Sequence, residues 1–299
     1  MDVRHLELLR DLAERGSVTA VAQATHRTPS AVSQHLRAAQ RDAGVPLVQQ
    51  AGRGLQLTDA GRLLAEGGRE VARALAVVQA RWDEFRGEPA GTVSVVALPS
   101  AATFLLPGVM ADLADTAIDL TCVDADVAES AYGALTADHD IVIAHSLSRR
   151  APAGADGLSV RLLVREPLDI AMRHGHPLAD SEKARPEELV EHEWYGVPLG
   201  FPFDSVRVAV EESTGRPVQI VQRLRDNRLI EALVAASDRV AVLPRFTTPG
   251  ERVTLRPVQG IPTGRYIFAM SRPDRAERLA VRRVLDAFTS VASRVQTGA

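Results

Sequence analysis

SVTAVAQATHRTPSAVSQHLRAAQRDAG, residues 17–44, decides how the chain begins to fold. It reads as two short helices around a tight turn. Ser17 is placed to cap the first helix, which keeps Val18, Val21 and Ala22 on one side, and the break falls at Ala24-Thr25-His26-Arg27. Thr28 then offers an oxygen to cap the second helix, and Pro29 takes the first helical position, where a missing N–H costs nothing. Within the second helix Val32, Leu36 and Ala39 share an inward face, while Ser30, Ser33, Gln34, Arg37 and Arg41 share an outward one. Hydroxyls, an amide and guanidinium groups are what a helix needs to reach base edges and phosphates in a major groove. A solvated amphipathic helix has the same pattern, so the rest of the chain must choose between the two.

The flanking segments favour a reading head. Residues 4–15 predict a helix with Leu6, Leu9 and Ala13 on one face and Leu12 beside them, enough to close a three-helix core. Gly44-Val45-Pro46-Leu47 ends the third helix with glycine and then proline. Val48 to Leu57, with Gly52-Arg53-Gly54 at its centre, reads as a hairpin wing that carries Arg53 outward. From Ala22 to Thr58 the basic residues are Arg27, Arg37, Arg41 and Arg53, against the acid Asp42. The whole chain of 299 residues carries a formal charge of −3, so this positive segment is a local footprint on an acidic body.

Thr58 or Asp59 starts a long helix that runs to about Glu88. Along it Leu64, Gly68, Val71, Leu75, Val78, Trp82 and Phe85 alternate steps of four and three, a heptad seam that predicts a two-helix interface. Packing against its own chain is the alternative. Gly67-Gly68 either lets two backbones approach or marks a bend, and GEPAG at 87–91 is a hinge.

Beyond Thr92 short β-branched runs (92–97, 118–123, 140–144, 168–172, 218–222, 240–244 and 266–270) alternate with helical stretches near 101–115, 204–213, 226–237 and 274–294. That alternation predicts parallel α/β sheet covered on both faces. Hydrophobic content of 45% with 24% charged residues fits a globular protein. There is no basic n-region followed by an apolar run, and no apolar stretch of membrane-span length, so a cytoplasmic protein without a membrane partner is expected. Cys122 is the single cysteine, which excludes an internal disulfide; it is expected to be a small core residue in its strand.

The first 88 residues resemble the N-terminal region of the LysR-type transcriptional regulators of bacteria. The matching blocks are Met1-Asp2-Val3-Arg4-His5-Leu6, Glu14-Arg15-Gly16-Ser17-Val18-Thr19, Ser30-Ala31-Val32-Ser33-Gln34, Gly44-Val45-Pro46-Leu47, and Gly52-Arg53-Gly54 followed by Leu57-Thr58-Asp59-Ala60-Gly61. The likeness continues more loosely to the end. It implies a winged helix-turn-helix head over 1–58, a linker and dimerisation helix over 59–88, and an α/β effector-binding domain over 91–299. That domain would be two-lobed like periplasmic binding proteins, with one lobe of 91–162 and 267–299 and another of 163–266, joined by crossover strands. DNA contacts are expected from Thr28, Pro29, Ser30, Ser33, Gln34, Arg37 and Arg53, and dimerisation through Leu64, Val71, Leu75, Val78, Trp82 and Phe85. The partners implied are double-stranded DNA with a dyad-symmetric operator, a small-molecule effector and further copies of the chain, as dimer or tetramer.

Departures from the family pattern are specific. Pro29-Ser30 stands where Gln-Pro is frequent, and Val48-Gln49-Gln50 replaces a common Phe-x-Arg, removing a phosphate-contacting arginine. Ser237-Asp238-Arg239 stands where a Gly-x-Gly-like passage is usual. Peroxide-sensing members need two cysteines, which excludes that mode here.

Ligands of open α/β sheets sit beyond the C-terminal strand ends, often at a helix N-terminus that favours an anion. Leu98-Pro99-Ser100-Ala101, Ala144-His145-Ser146, residues 200–205 and Asp226-Asn227 satisfy that description. Ser100, with the backbone at Ala101, is the leading candidate for holding a carboxylate, so a small carboxylate or amino acid is the expected effector; a plain helix cap is its alternative, worth about 1 kcal/mol. His145 and Asn227 could donate or accept in the cleft, and Phe201 and Phe203 would supply apolar walls or core. His174-Gly175-His176 falls at a turn and is read as structural, so neither metal nor cofactor is expected. An enzyme with an appended reader is disfavoured, since no G-x-S-x-G elbow, P-loop, H-E-x-x-H or strand-linked G-x-G-x-x-G is present. A constitutive oligomeric DNA-binding protein without a ligand is the other alternative.

Overall fold

A computed structural model describes residues 2–51, 54–87, 89–148 and 150–298. Helices α1 (Val3–Arg15), α2 (Val18–Ala24) and α3 (Pro29–Ala43) form the head, followed by the antiparallel pair β1 (Val48–Ala51) and β2 (Gly54–Leu57). The expected caps are made: Ser17 Oγ accepts from Ala20 N at 3.1 Å, and Thr28 Oγ1 from Ala31 N at 3.2 Å. His26 takes the left-handed conformation, φ 52°, that the turn between α2 and α3 requires. Leu8, Leu9, Leu12, Val21, Ala22, Val32, Leu36, Ala39, Leu47 and Leu57 make one core. Ala13, expected on the inner face of α1, is exposed, and Leu8 is buried beside Leu9 and Leu12 instead.

Helix α4 (Asp59–Arg86) runs about 42 Å at 1.5 Å per residue. Two glycines let its first half lie against the head: a Cβ at Gly61 would stand 2.0 Å from Leu47 O, and one at Gly68 would stand 2.5 Å from Leu6 O. Gly67 meets open space. The seam therefore divides. Leu64 and Gly68, expected at an interface between chains, pack on the head of their own chain, whereas Val71, Leu75, Val78, Trp82 and Phe85 are exposed.

The remainder opens with β3 (Ala90–Ala97), α5 (Pro99–Asp112), β4 (Ala117–Asp124), the short α6 (Tyr132–Leu135) and β5 (Ile141–Ser146), with β3 parallel to both β4 and β5. A long β6 (Ser159–Arg173) then leads to α7 (Pro186–Leu189), β7 (Glu193–Gly196), α8 (Asp204–Thr214), β8 (Gln219–Arg223), α9 (Asn227–Ala235), β9 (Val240–Pro244) and β10 (Val253–Arg256). The chain returns through β11 (Gly264–Ser271), α10 (Pro273–Ala276) and α11 (Leu279–Gly298). Strand order is β4-β3-β5-β11-β6-β9-β7-β8, with β10 on β6.

Two lobes share this sheet. Leu163 and Val164 of β6 belong to a core with β3, β5, α5 and α11, while Leu168, Ile170, Ala171 and Met172 of the same strand belong to a second core with β9, α8 and α9. The sheet is mixed, correcting the parallel expectation: β11 runs antiparallel to β5 and β6, and β6 antiparallel to β9 and β10. A crossover strand that enters one lobe as it leaves the other must oppose the strands already there. Cys122 is exposed, not core, because β4 is the sheet edge and only Ile118 of that strand is buried. His176 is a turn residue as expected; its ring accepts from Leu178 N at 3.2 Å. Among the described residues no helix is long and apolar enough to cross a membrane.

The head sits on the first lobe through polar contacts. Arg272, next after β11, pairs with Glu14 of α1 at 2.8 Å, and Arg15 reaches Asp138 at 2.8 Å and Ala137 O at 3.0 Å. Arg73 of α4 pairs with Glu277 at 3.0 Å.

Candidate nucleic-acid interface and ligand pocket

The start of α3 is the polar edge of the head. Thr28, Pro29, Ser30, Gln34 and Arg37 are exposed and Ser33 half-buried, while Val32, Leu36 and Ala39 anchor the opposite face. Among the described residues the side chains of Ser30, Ser33, Gln34 and Arg37 make no hydrogen bond or ion pair, so their polar groups remain available to a partner. Arg53, expected at the wing tip, lies outside the described residues.

On α4, Leu75, Val78 and Phe85 are 64%, 61% and 81% exposed, and Trp82 stacks on Phe85 with ring centroids 5.7 Å apart. Val71 continues the same stripe. A contiguous apolar stripe on an exposed helix is the kind of surface that protein–protein contacts use.

Between the lobes lies a pocket of about 510 Å³. Its walls come from the C-terminal ends of β3, β5, β7 and β8, the place elementary α/β geometry assigns to a ligand. Of the residues expected there, Ser100, His145, Phe201, Phe203 and Asn227 line it. Ala101 does not: its side chain is fully buried in the first lobe's core, and only its backbone faces the helix start. Ser100 is not the helix cap either. Leu98 holds that position and makes no side-chain capping bond, so the first-turn N–H groups of Ser100 and Ala101 have no intrahelical acceptor. Phe203 serves both as wall and as core of the second lobe.

The floor of the pocket carries a pair absent from the expected set. Arg265, 3% exposed, donates to Glu166 Oε2 through Nε at 2.8 Å and Nη2 at 2.6 Å, and to Ser100 Oγ through Nη2 at 2.7 Å. Phe203 stacks beneath it, the guanidinium 5.2 Å from the ring centre. Burial pushes the Glu166 carboxyl above its ordinary range, with Arg265 pulling the other way. Burial, reinforced by Arg265, holds His145 down to about 4, so the ring is neutral at physiological pH. Among the described residues its Nδ1, like the hydroxyls of Tyr132 and Thr247, has no hydrogen-bond partner. Arg225, Asp226, Arg228, Glu231, Asp126 and Thr248 complete the polar lining. The available signal was a pair of opposite charges, Glu166 and Arg265, inside segments otherwise fit for buried strand.

Comparison with known proteins agrees with this architecture. Residues 3–62 match the family described as bacterial regulatory helix-turn-helix protein, lysR family, and residues 86–293 match the LysR substrate binding domain. The HTH-type transcriptional regulator CbbR of Xanthobacter flavus is 25% identical over 284 residues, covering 91% of this chain and 83% of that protein. The transcriptional dual regulator GltC of Bacillus subtilis is 24% identical over 250 residues, 83% of this chain and 82% of that one. Among solved structures, a full-length OxyR variant from Pseudomonas aeruginosa superposes with a TM-score of 0.66 at 17% identity, covering 96% of this chain and 94% of that one. CbnR complexed with its target DNA gives 0.54 at 19% identity, covering 98% and 100%. From head to pocket the chain belongs to the LysR family of transcription regulators, a helix-turn-helix reader joined to a two-lobed effector-binding domain.

Proposed function

We propose that this regulator binds a dyad-symmetric operator as a dimer or a dimer of dimers, and that its effector is a small organic acid, either a simple carboxylate or an amino acid. In this reading residues 1–58 read DNA, 59–88 dimerise, and 91–299 sense the effector, with lobes of 91–162 plus 267–299 and of 163–266. Thr28, Pro29, Ser30, Ser33, Gln34 and Arg37 face the major groove, with Arg53 on the backbone. Val71, Leu75, Val78, Trp82 and Phe85 form the dimer seam; a two-fold pair of heads then meets two half-sites on one face of the duplex.

The observation that carries the effector class is the uncapped start of α5, where the first-turn N–H groups lack an intrahelical acceptor and Ser100 lines an open pocket. A helix N-terminus of this kind favours negative charge. Arg265 contributes a donor but little net charge, since Glu166 balances it. The effector acts by binding one arrangement of the oligomer more tightly than another. An open polar pocket favours this over a constitutive DNA-binding protein.

Thermal denaturation of the full chain across two- to six-carbon mono- and dicarboxylates and amino acids tests the effector class. At least one is expected to raise Tm, as any ligand selective for the native state does, and Ser100→Trp is expected to remove that shift while DNA binding persists. No shift with any compound, or a shift that survives in the variant, places the effector elsewhere.

A further inference from the structure

We infer that the second lobe reads a cationic nitrogen on the effector through Glu231, so that the ligand is an amino-bearing carboxylate and not a plain acid. This rests on the carboxylate reading of the first-lobe end of the pocket and extends it to the opposite wall.

Glu231 is a residue of α9 that lines the pocket and is buried to 7% exposure. Among the described residues its carboxylate makes no hydrogen bond and no ion pair, not even with Arg228 one turn earlier. Two other charged side chains of the second-lobe wall are engaged, whereas the side chains of Asn227 and Arg228 make no hydrogen bond or ion pair among the described residues. Asp226 caps α9, accepting from Arg228 N at 2.8 Å and Leu229 N at 3.0 Å, and Arg225 lies over the Phe201 ring at 5.0 Å. On the first-lobe side Glu166 is paired with Arg265 through Oε2, while its buried Oε1 has no partner among the described residues. A carboxylate on a residue this deeply set, with no donor of its own, gains from any donor that enters the pocket it lines.

The two ends of the pocket are chemically opposite. The α5 end offers N–H and O–H donors, which favour an anion; at the α9 end Arg225, Asp226, Arg228 and Glu231 all line the pocket, and the Glu231 carboxylate, unpaired among the described residues, favours a protonated amine or guanidinium. Phe201, Phe203 and Val197 lie among the lining and suit a short hydrocarbon spacer. A ligand carrying both charges contacts both lobes at once, and a plain carboxylate leaves Glu231 buried and unpaired.

The full chain is titrated with three probes on one carbon skeleton: pentanoate, 2-aminopentanoate and 5-aminopentanoate, with the four- and six-carbon series alongside. An aminated member is expected to bind at least tenfold more tightly than the plain acid of equal length. Glu231→Gln is expected to reduce that ratio to within twofold without weakening the plain acid, while Glu212→Gln, at an exposed position of α8 outside the pocket, leaves the ratio intact. Equal binding of acid and amino acid by the unmodified chain overturns the inference without any variant, as does a preference that survives Glu231→Gln or is lost equally with Glu212→Gln. If no acid of either kind binds, the carboxylate reading itself falls and this inference with it. If plain acids bind and amines confer nothing, only the role of Glu231 falls.

Discussion

Arg265 and Glu166 come together because β11 and β6 are antiparallel neighbours, with Arg265 opposite Glu166 in the register. Neither charge would be stable alone at that depth; as a pair with three short hydrogen bonds, counting Ser100, they hold the pocket floor in one conformation. His145 records the same low polarity. Its folded pKa, about 4, lies below the ordinary value of 6.5, so the unfolded chain takes up the proton first as the solution acidifies. The stabilisation linked to the neutral ring is whole above pH 6.5 and is lost as pH falls toward 4. Between pH 7 and pH 5 this group alone should remove about 2 kcal/mol of folding stability. Urea denaturation at the two pH values is expected to show that loss in the unmodified chain and a correspondingly smaller one in His145→Gln; parallel pH profiles would show that the ring is not the source.

At the scale of elements, α4 does two jobs with one heptad. Gly61 and Gly68 bring its first half against the head, and the larger apolar residues of its second half are left exposed, the face proposed to meet a second copy. Val78→Glu puts a charge in the middle of that stripe and is expected to turn the dimer into monomer in sedimentation at micromolar concentration, with the head still folded. A variant that still dimerises removes the seam as the interface. The heptad was legible because a regular period survives whatever it packs on; which half faced a partner was not, since Gly68 could meet either another chain or Leu6. The same limit explains Cys122. Its strand was readable from β-branched composition, but its exposure depends on β4 being outermost, a fact of sheet order. β7 and β10 escaped notice because each is four residues long and too short to show alternation. In the pocket, Ser100, His145 and Phe201 were found by the rule of strand ends, whereas Arg265 needed a partner ninety-nine residues earlier in the sequence to make sense of it.

Across the whole molecule, β11 spans the distance from pocket to head. Arg265 at its start contacts Ser100, and Arg272 just beyond its end pairs with Glu14 of α1, about 23 Å away along an extended strand. Sensor and reader are thus parts of one packed body in which α3 presents its free polar edge outward. Selection from a random duplex pool by the full chain at fixed salt tests the central claim that this edge reads sequence. The unmodified protein is expected to enrich a dyad-symmetric site, and Gln34→Ala or Arg37→Ala to weaken binding to that site by about tenfold, the worth of a direct base contact of 1–3 kcal/mol. Enrichment of no sequence, or an unchanged site bound with unchanged affinity by both variants, would contradict it.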